Sequence, residues 1–143
     1  MLKLPKKQEL VWEMNLRGKG IVEIAKKLGI SKQAVSMYLK QARAKLSEIF
    51  LDLANFMDLS IVKMDVRKGI LIGNIKQIGE RVFIFYIPFE GPMAIYESVL
   101  KTGKCADDIN CLKVIQFYRE LLGIKYEDIT RSLRDILKYA ETV

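Results

Sequence analysis

The sequence predicts an α+β fold: an N-terminal tri-helical helix-turn-helix head with a long third helix, then a small α+β domain of a three-stranded sheet plus helices. Three observations carry this. Between Gly20 and Ala44 the chain reads as two short amphipathic helices that meet at a glycine. From Ser31 to Gly69 it holds neither glycine nor proline, so nothing interrupts the second of those helices. From Ser60 the apolar period turns from helical to alternating, and beyond Gly91-Pro92 it turns helical again. The division falls at the first change of period, with residues 1–57 as the helical head and residues 58–143 as the small α+β domain.

Leu4 and Pro5 start the first helix, because a proline in the first turn has no N–H to lose. Leu10, Val11, Met14 and Leu16 supply its apolar positions, and Trp12 is large enough to anchor the head against whatever follows. Gly18 and Gly20 end the helix and leave Lys19 between them, within reach of a phosphate. In the second helix Ile21, Ile24, Ala25 and Leu28 share one face. Ala25 is small where two helices must approach closely, and Gly29 supplies the left-handed turn that stops the helix. Ile30 fills the corner. Ser31 can then accept a hydrogen bond from a free N–H of the third helix, whose apolar stripe runs through Val35, Tyr38, Leu39 and Ala42.

The third helix turns Lys32, Gln33, Ala34, Ser36, Met37, Lys40 and Arg43 outward. This face mixes cations, an amide, a hydroxyl and small apolar groups, with no acid among them. That inventory suits base edges in a major groove and the phosphates that flank it. Together with Ser31, Lys19 and Lys26 these residues form the expected DNA-binding set. Charge supports it. The net charge is +7, and residues 1–50 hold 11 Lys/Arg against 4 Glu, whereas residues 51–143 hold 13 of each sign. Solubilising lysines would be spread evenly; a basic head on a neutral body is the footprint of a nucleic-acid module.

With L-P-K-K-Q-E-L-V-W-E-M before it and A-R-A-K-L closing it, the stretch G-I-V-E-I-A-K-K-L-G-I-S-K-Q-A-V-S-M-Y-L-K-Q-A-R-A resembles the bacterial sigma-factor region that reads the upstream promoter element. It is also similar to LuxR-type domains and to the archaeal Tfx-like regulators. The resemblance covers about the first third of the chain. It implies a DNA-reading role for Ser31, Lys32, Gln33, Ser36, Met37 and Lys40, and transcription regulation as the setting. No segment for promoter melting or for binding core polymerase is recognisable, so a complete sigma factor is not expected.

Val35, Leu39, Ala42, Leu46, Ile49, Leu53 and Phe56 recur at alternating steps of four and three, which is a heptad seam. Two readings stay open for its later members. Leu46, Ile49, Leu53 and Phe56 form a two-fold dimer interface that sets two heads on successive half-sites, or they pack on the chain's own C-terminal portion.

Beyond the seam, I-V-K-M-D-V, G-I-L-I-G-N-I-K and V-F-I-F-Y-I read as three strands. Gly69 allows the first reversal, and Gln77–Arg81, with Gly79 in the turn, makes the second. The third run is apolar on both faces and is expected at the covered centre of the sheet. Met93–Leu100 reads as a short helix. Asp107 or Asp108 caps another, with Ile109, Leu112, Ile115, Tyr118 and Leu122 inward, and a last helix spans about Tyr126–Ala140. L-G-I-K-Y-E-D-I-T-R-S-L echoes L-G-I-S-K-Q-A-V-S-M-Y-L, but Glu127 and Asp128 would meet phosphates with repulsion, so the echo is an αα-corner.

No apolar run is long enough for a membrane span and Met1–Lys7 lacks a signal-peptide core, so a cytoplasmic protein is expected. The chain has no histidine and only Cys105 and Cys111, which argues against a zinc site. A reducing compartment favours free thiols; a Cys105–Cys111 bridge is the alternative. Neither a cofactor nor catalysis is expected. Asp65, Glu80 and Glu90 could hold magnesium for nuclease chemistry only if the fold gathered them. The partners expected are double-stranded DNA, a second copy of the chain and the transcription machinery, with no membrane. The competing reading is an adaptor whose helix-turn-helix meets a ribonucleoprotein or a polymerase subunit.

Overall fold

A computed structural model describes residues 2–142. Helices α1 (Lys6–Leu16), α2 (Ile21–Leu28) and α3 (Lys32–Met57) are followed by strands β1 (Leu59–Asp65), β2 (Ile70–Ile75), β3 (Glu80–Ile87) and β4 (Gly91–Tyr96). Then come a short helix α4 (Glu97–Lys101), a 3-10 turn (Lys104–Asp107), and helices α5 (Ile109–Leu122) and α6 (Ile129–Glu141). The strands form one antiparallel meander in the order β1-β2-β3-β4. Among the described residues no helix is long and apolar enough to cross a membrane.

The sheet has four strands rather than the three expected, and Met93–Tyr96 is the end of a strand rather than the start of a helix. The reason lies in β3, whose residues Val82–Ile87 are all buried. A strand apolar on both faces needs a hydrogen-bonded neighbour on either side, and β4 supplies the second, with Phe83 opposite Ile95 and Phe85 opposite Met93. In β4 burial alternates, deep at Met93 and Ile95 and partial at Pro92, Ala94 and Tyr96. That is a period of two.

Each face of the sheet carries helices. One face sets Ile70, Ile72, Phe83, Phe85, Ile87, Met93 and Ile95 against α5 and α6. The other sets Leu71, Val82, Ile84 and Tyr86 against Ala42, Leu46, Ile49, Phe50 and Ala54 of α3. A third, smaller core of Val11, Ile24, Ala25, Val35 and Leu39 holds the head together. Helix α3 therefore belongs to two cores. Its first turns close the head and its last turns cover the sheet, on a rod of 26 residues, about 39 Å long.

This resolves the seam. Leu46 and Ile49 are buried on the chain's own sheet, at 0% and 3% exposure, so they are core and not a dimer interface. Leu53 is half-buried against the same core. Phe56 stands 88% exposed at the end of the helix, beside Leu2, Asp52 and Leu53.

On the far face α5 buries Cys111, Val114, Ile115 and Tyr118 and leaves Ile109 and Leu112 exposed, a correction to the expected face. The rotation follows from the cysteines. Cys105 and Cys111 are joined in a disulfide with Cα atoms 5.3 Å apart, so the start of α5 must turn Cys111 toward the 3-10 turn. Asp108 caps α5 through the Cys111 N–H, and Asp128 caps α6 through the Arg131 N–H. The other end of α6 is held by two cations: Lys63 donates to the Ala140 and Thr142 carbonyls, and Lys68 donates to those of Tyr139 and Thr142.

Head and sheet are locked through α1. The Leu4 N–H donates to the Tyr86 hydroxyl at 2.8 Å, and that hydroxyl donates to Glu9 Oε2 at 2.9 Å. Beside this chain Trp12 packs edge-on to Tyr86, with ring centroids 5.5 Å apart, and its Nε1–H donates to the Val66 carbonyl at 3.0 Å. The ring lies over Gly69, where a Cβ would come within 2.7 Å of it and where φ is +72°. Glycine is required there on both counts.

Trp12→Ala should cost about 3–5 kcal/mol, and urea unfolding should show probes in head and sheet losing structure together. Glu9 supplies a second test. Burial holds its carboxyl above the ordinary value of 4.5, with the Tyr86 hydrogen bond pulling the other way. A carboxyl raised on folding carries a cost that is absent while both states are protonated, and that grows as pH rises through the ordinary value to its full size above the raised one. Glu9→Gln should therefore be more stable than the wild type near neutral pH and lose that advantage near pH 4.

Candidate nucleic-acid interface

The geometry of the helix-turn-helix is set by a few backbone positions. Gly29 adopts the left-handed conformation at φ 64° and its N–H closes on the Ala25 carbonyl. The Ile30 N–H reaches the same carbonyl at 3.1 Å. The next residue, Ser31, caps α3, its Oγ accepting from the Ala34 N–H at 3.0 Å. A cap of this kind contributes about 1 kcal/mol. Val35 and Leu39 then face Ile24 and Ala25, which fixes how α3 crosses α2.

With one side of α3 spent on the core, the opposite side is available. Lys32, Gln33, Ser36, Met37 and Lys40 are exposed, and Ala34 is half-buried beside the cap. At 100° per residue Gln33, Met37 and Lys40 lie within about 60° of one another at the centre of the free face. Lys32, Ser36 and Arg43 flank them on one side. Met37 is 47% exposed, a thioether held in water at the middle of a polar face. Ile21, Ser36, Leu39, Lys40 and Arg43 line a concave surface between the start of α2 and the flank of α3. The first N–H groups of α2 have no helical acceptor there, since its first internal bond runs from Ile24 N–H to the Gly20 carbonyl.

Arg43 is less free than the sequence implied. It is half-buried, and its Nη2 donates to Asn15 Oδ1 at 3.0 Å. Asn15 in turn donates from Nδ2 to the Lys19 carbonyl at 3.1 Å. One amide thus ties α1, the turn before α2 and the middle of α3 together. Asn15 was missed by sequence reasoning, which had no signal to separate it from a solvated helix residue. Burial, and then the charge of Arg67, holds the Arg43 guanidinium below the ordinary arginine value. Lys19 lies beside Lys27, and that contact, with some burial, lowers its ammonium below the ordinary lysine value. Lys26 is exposed on α2.

The few acids of the head are mostly spent. Glu9 is buried; Glu13 pairs with Arg17 at 3.4 Å; Glu48 pairs with Lys45 at 3.6 Å. Among the described residues none of Lys19, Lys26, Lys32, Lys40 and Arg43 takes part in an ion pair. Arg17 instead bridges to Glu120 at 3.3 Å and lies over the Phe117 ring, which fastens the end of α1 to α5.

The acids weighed for metal chemistry lie apart. Asp65 Oδ1 accepts from the backbone N–H groups of Arg67 and Lys68, Glu80 Oε1 from that of Ser98, and Glu90 pairs with Lys113. Among the described residues no group of three or more acids or cysteines could hold a metal ion.

No curated protein and no solved structure matches this chain. Residues 1–46 match the model of the family described as Sigma-70, region 4, so the head is similar to the helix-turn-helix DNA-binding domain of that family, over the span that carries α1, α2 and the exposed part of α3.

Proposed function

We propose that the protein is a sequence-specific regulator of transcription that binds double-stranded DNA by laying the first turns of α3 in the major groove. One observation carries the reading. The free side of α3 presents Lys32, Gln33, Ser36, Met37 and Lys40 with no acid among them, and its cations are unpaired among the described residues. Gln33 can pair with an adenine edge and Met37 can meet a thymine methyl. Lys40, Lys32, Lys26 and Lys19 neutralise phosphates, and each neutralised phosphate releases counterions. The similarity of residues 1–46 to Sigma-70 region 4 supports the same assignment.

Two copies on a palindromic site remain part of the proposal, with a changed interface. Since Leu46 and Ile49 are core, the part of the seam left for a second copy is Phe56 with its neighbours Leu53 and Leu2. The sheet domain then serves as the platform that orients the head.

Selection of bound duplexes from a random pool at near-physiological salt tests the reading, and a recovered consensus is the expected result. Gln33→Ala should relax preference at one base pair by about 1–3 kcal/mol. Lys40→Ala or Lys26→Ala should weaken every duplex alike and lower the salt slope by about one. Equal affinity for all duplexes in the pool would refute the proposal.

A further inference from the structure

The turn between β1 and β2 carries Arg67, a cation that lies outside the helix-turn-helix. We propose that Arg43 and Arg67 form a clamp for one backbone phosphate of a DNA duplex, so that the sheet domain itself grips DNA. The proposal rests on the DNA-binding reading above and assigns a further contact to it.

The two arginines are brought together by one turn of α1. Asn15 holds Arg43 at 3.0 Å, and Trp12, three residues earlier on the same face, holds the Val66 carbonyl at 3.0 Å. Arg67 follows Val66 directly and is exposed. Asp65, the acid of the same turn, uses its Oδ1 on the Arg67 and Lys68 backbone N–H groups at 3.0 Å each. Among the described residues neither arginine is in an ion pair.

Arg43 also has donor capacity unspent, because Nη2 alone is engaged, on Asn15, and Nη1 is left for an incoming anion. Two neighbouring guanidiniums, one with an open donor, repel each other until an anion enters. A phosphate is matched to the planar fork of such groups. Placement selects DNA as its source. Arg43 lines the same concave surface as Ser36 and Lys40. It lies eleven residues beyond Lys32, about 16 Å along the helix, whereas the major groove is about 12 Å wide. An arginine that far from the start of α3 meets the strand bounding the groove and not the base edges.

The test uses the full chain and a duplex recovered from the selection, with binding followed by anisotropy between about 50 and 200 mM salt. Arg67→Gln should bind about threefold to tenfold more weakly and lower the salt slope by about one, with base preference unchanged. Arg67→Lys should restore the slope. Lys76→Gln, at the opposite end of β2, should leave both quantities unaltered. Ethylation interference should reveal one phosphate whose modification harms the wild type and leaves Arg67→Gln indifferent. If the wild type binds the duplex and Arg67→Gln matches it in affinity and slope, the clamp is refuted while the DNA-binding reading stands. If the wild type binds no duplex, including a case where an acidic protein is bound instead, both fall.

Discussion

The structure depends on one buried seam, where the Leu4 N–H, the Tyr86 hydroxyl and the Glu9 carboxylate form a hydrogen-bonded row beneath the Trp12 ring. It joins the N-terminal segment and the first helix to the central strand, 77 to 82 residues further along the chain. Its composition is a compromise. A carboxylate with Oε1 unpartnered is poor material for a core, since burial penalises its charge. What it contributes is direction: the tyrosine hydroxyl can donate to only one acceptor while accepting the Leu4 N–H. An apolar replacement would fill the space without fixing the angle at which α1 crosses the sheet. The exposed side of α3 inherits that angle, because α1 and α3 share the cores on both sides of the junction.

Charge is partitioned in a way that the fold sharpens. The head already held the whole excess of positive charge, and folding then removes most of its acids from the surface field. Glu9 goes into the core, while Glu13 and Glu48 are engaged by neighbours on their own helices. Glu23, in the first turn of α2, remains exposed near Lys19. Meanwhile Arg17 turns away to Glu120 and becomes a structural strut. The cations of the groove, by contrast, stay unpaired among the described residues, so the potential over the groove exceeds what the sequence count suggests.

Much of this was legible beforehand, for identifiable reasons. Gly29 and Ser31 are strong local signals, each with one backbone job, and α2 and α3 begin and end around them as expected. The covered position of β3 followed from its two apolar faces. What failed was whatever depended on a partner distant in sequence. Met93–Leu100 satisfies helical and alternating patterns alike, and only the open edge of β3 decides between them. Ile109 and Leu112 suit a helix face that the Cys105–Cys111 link turns outward. Leu46 and Ile49 would look the same covering a sheet or a second copy. On the candidate surface the exposed residues of α3 could be read from periodicity, but Asn15 of α1, and Arg67 from the turn after β1, come near Arg43 only through tertiary packing.

The uninterrupted run of α3 has a mechanical consequence. A helix with no glycine or proline has no built-in place to bend, so a shift where it rests on the sheet is passed on as a swing of the whole shaft. Over its length a tilt of about 5° displaces the far tip by about 3 Å, comparable to one base-pair step. Any event that repacks Phe50 or Ala54 against β1 and β2 would in that way displace the exposed face of residues 32–40 without touching it.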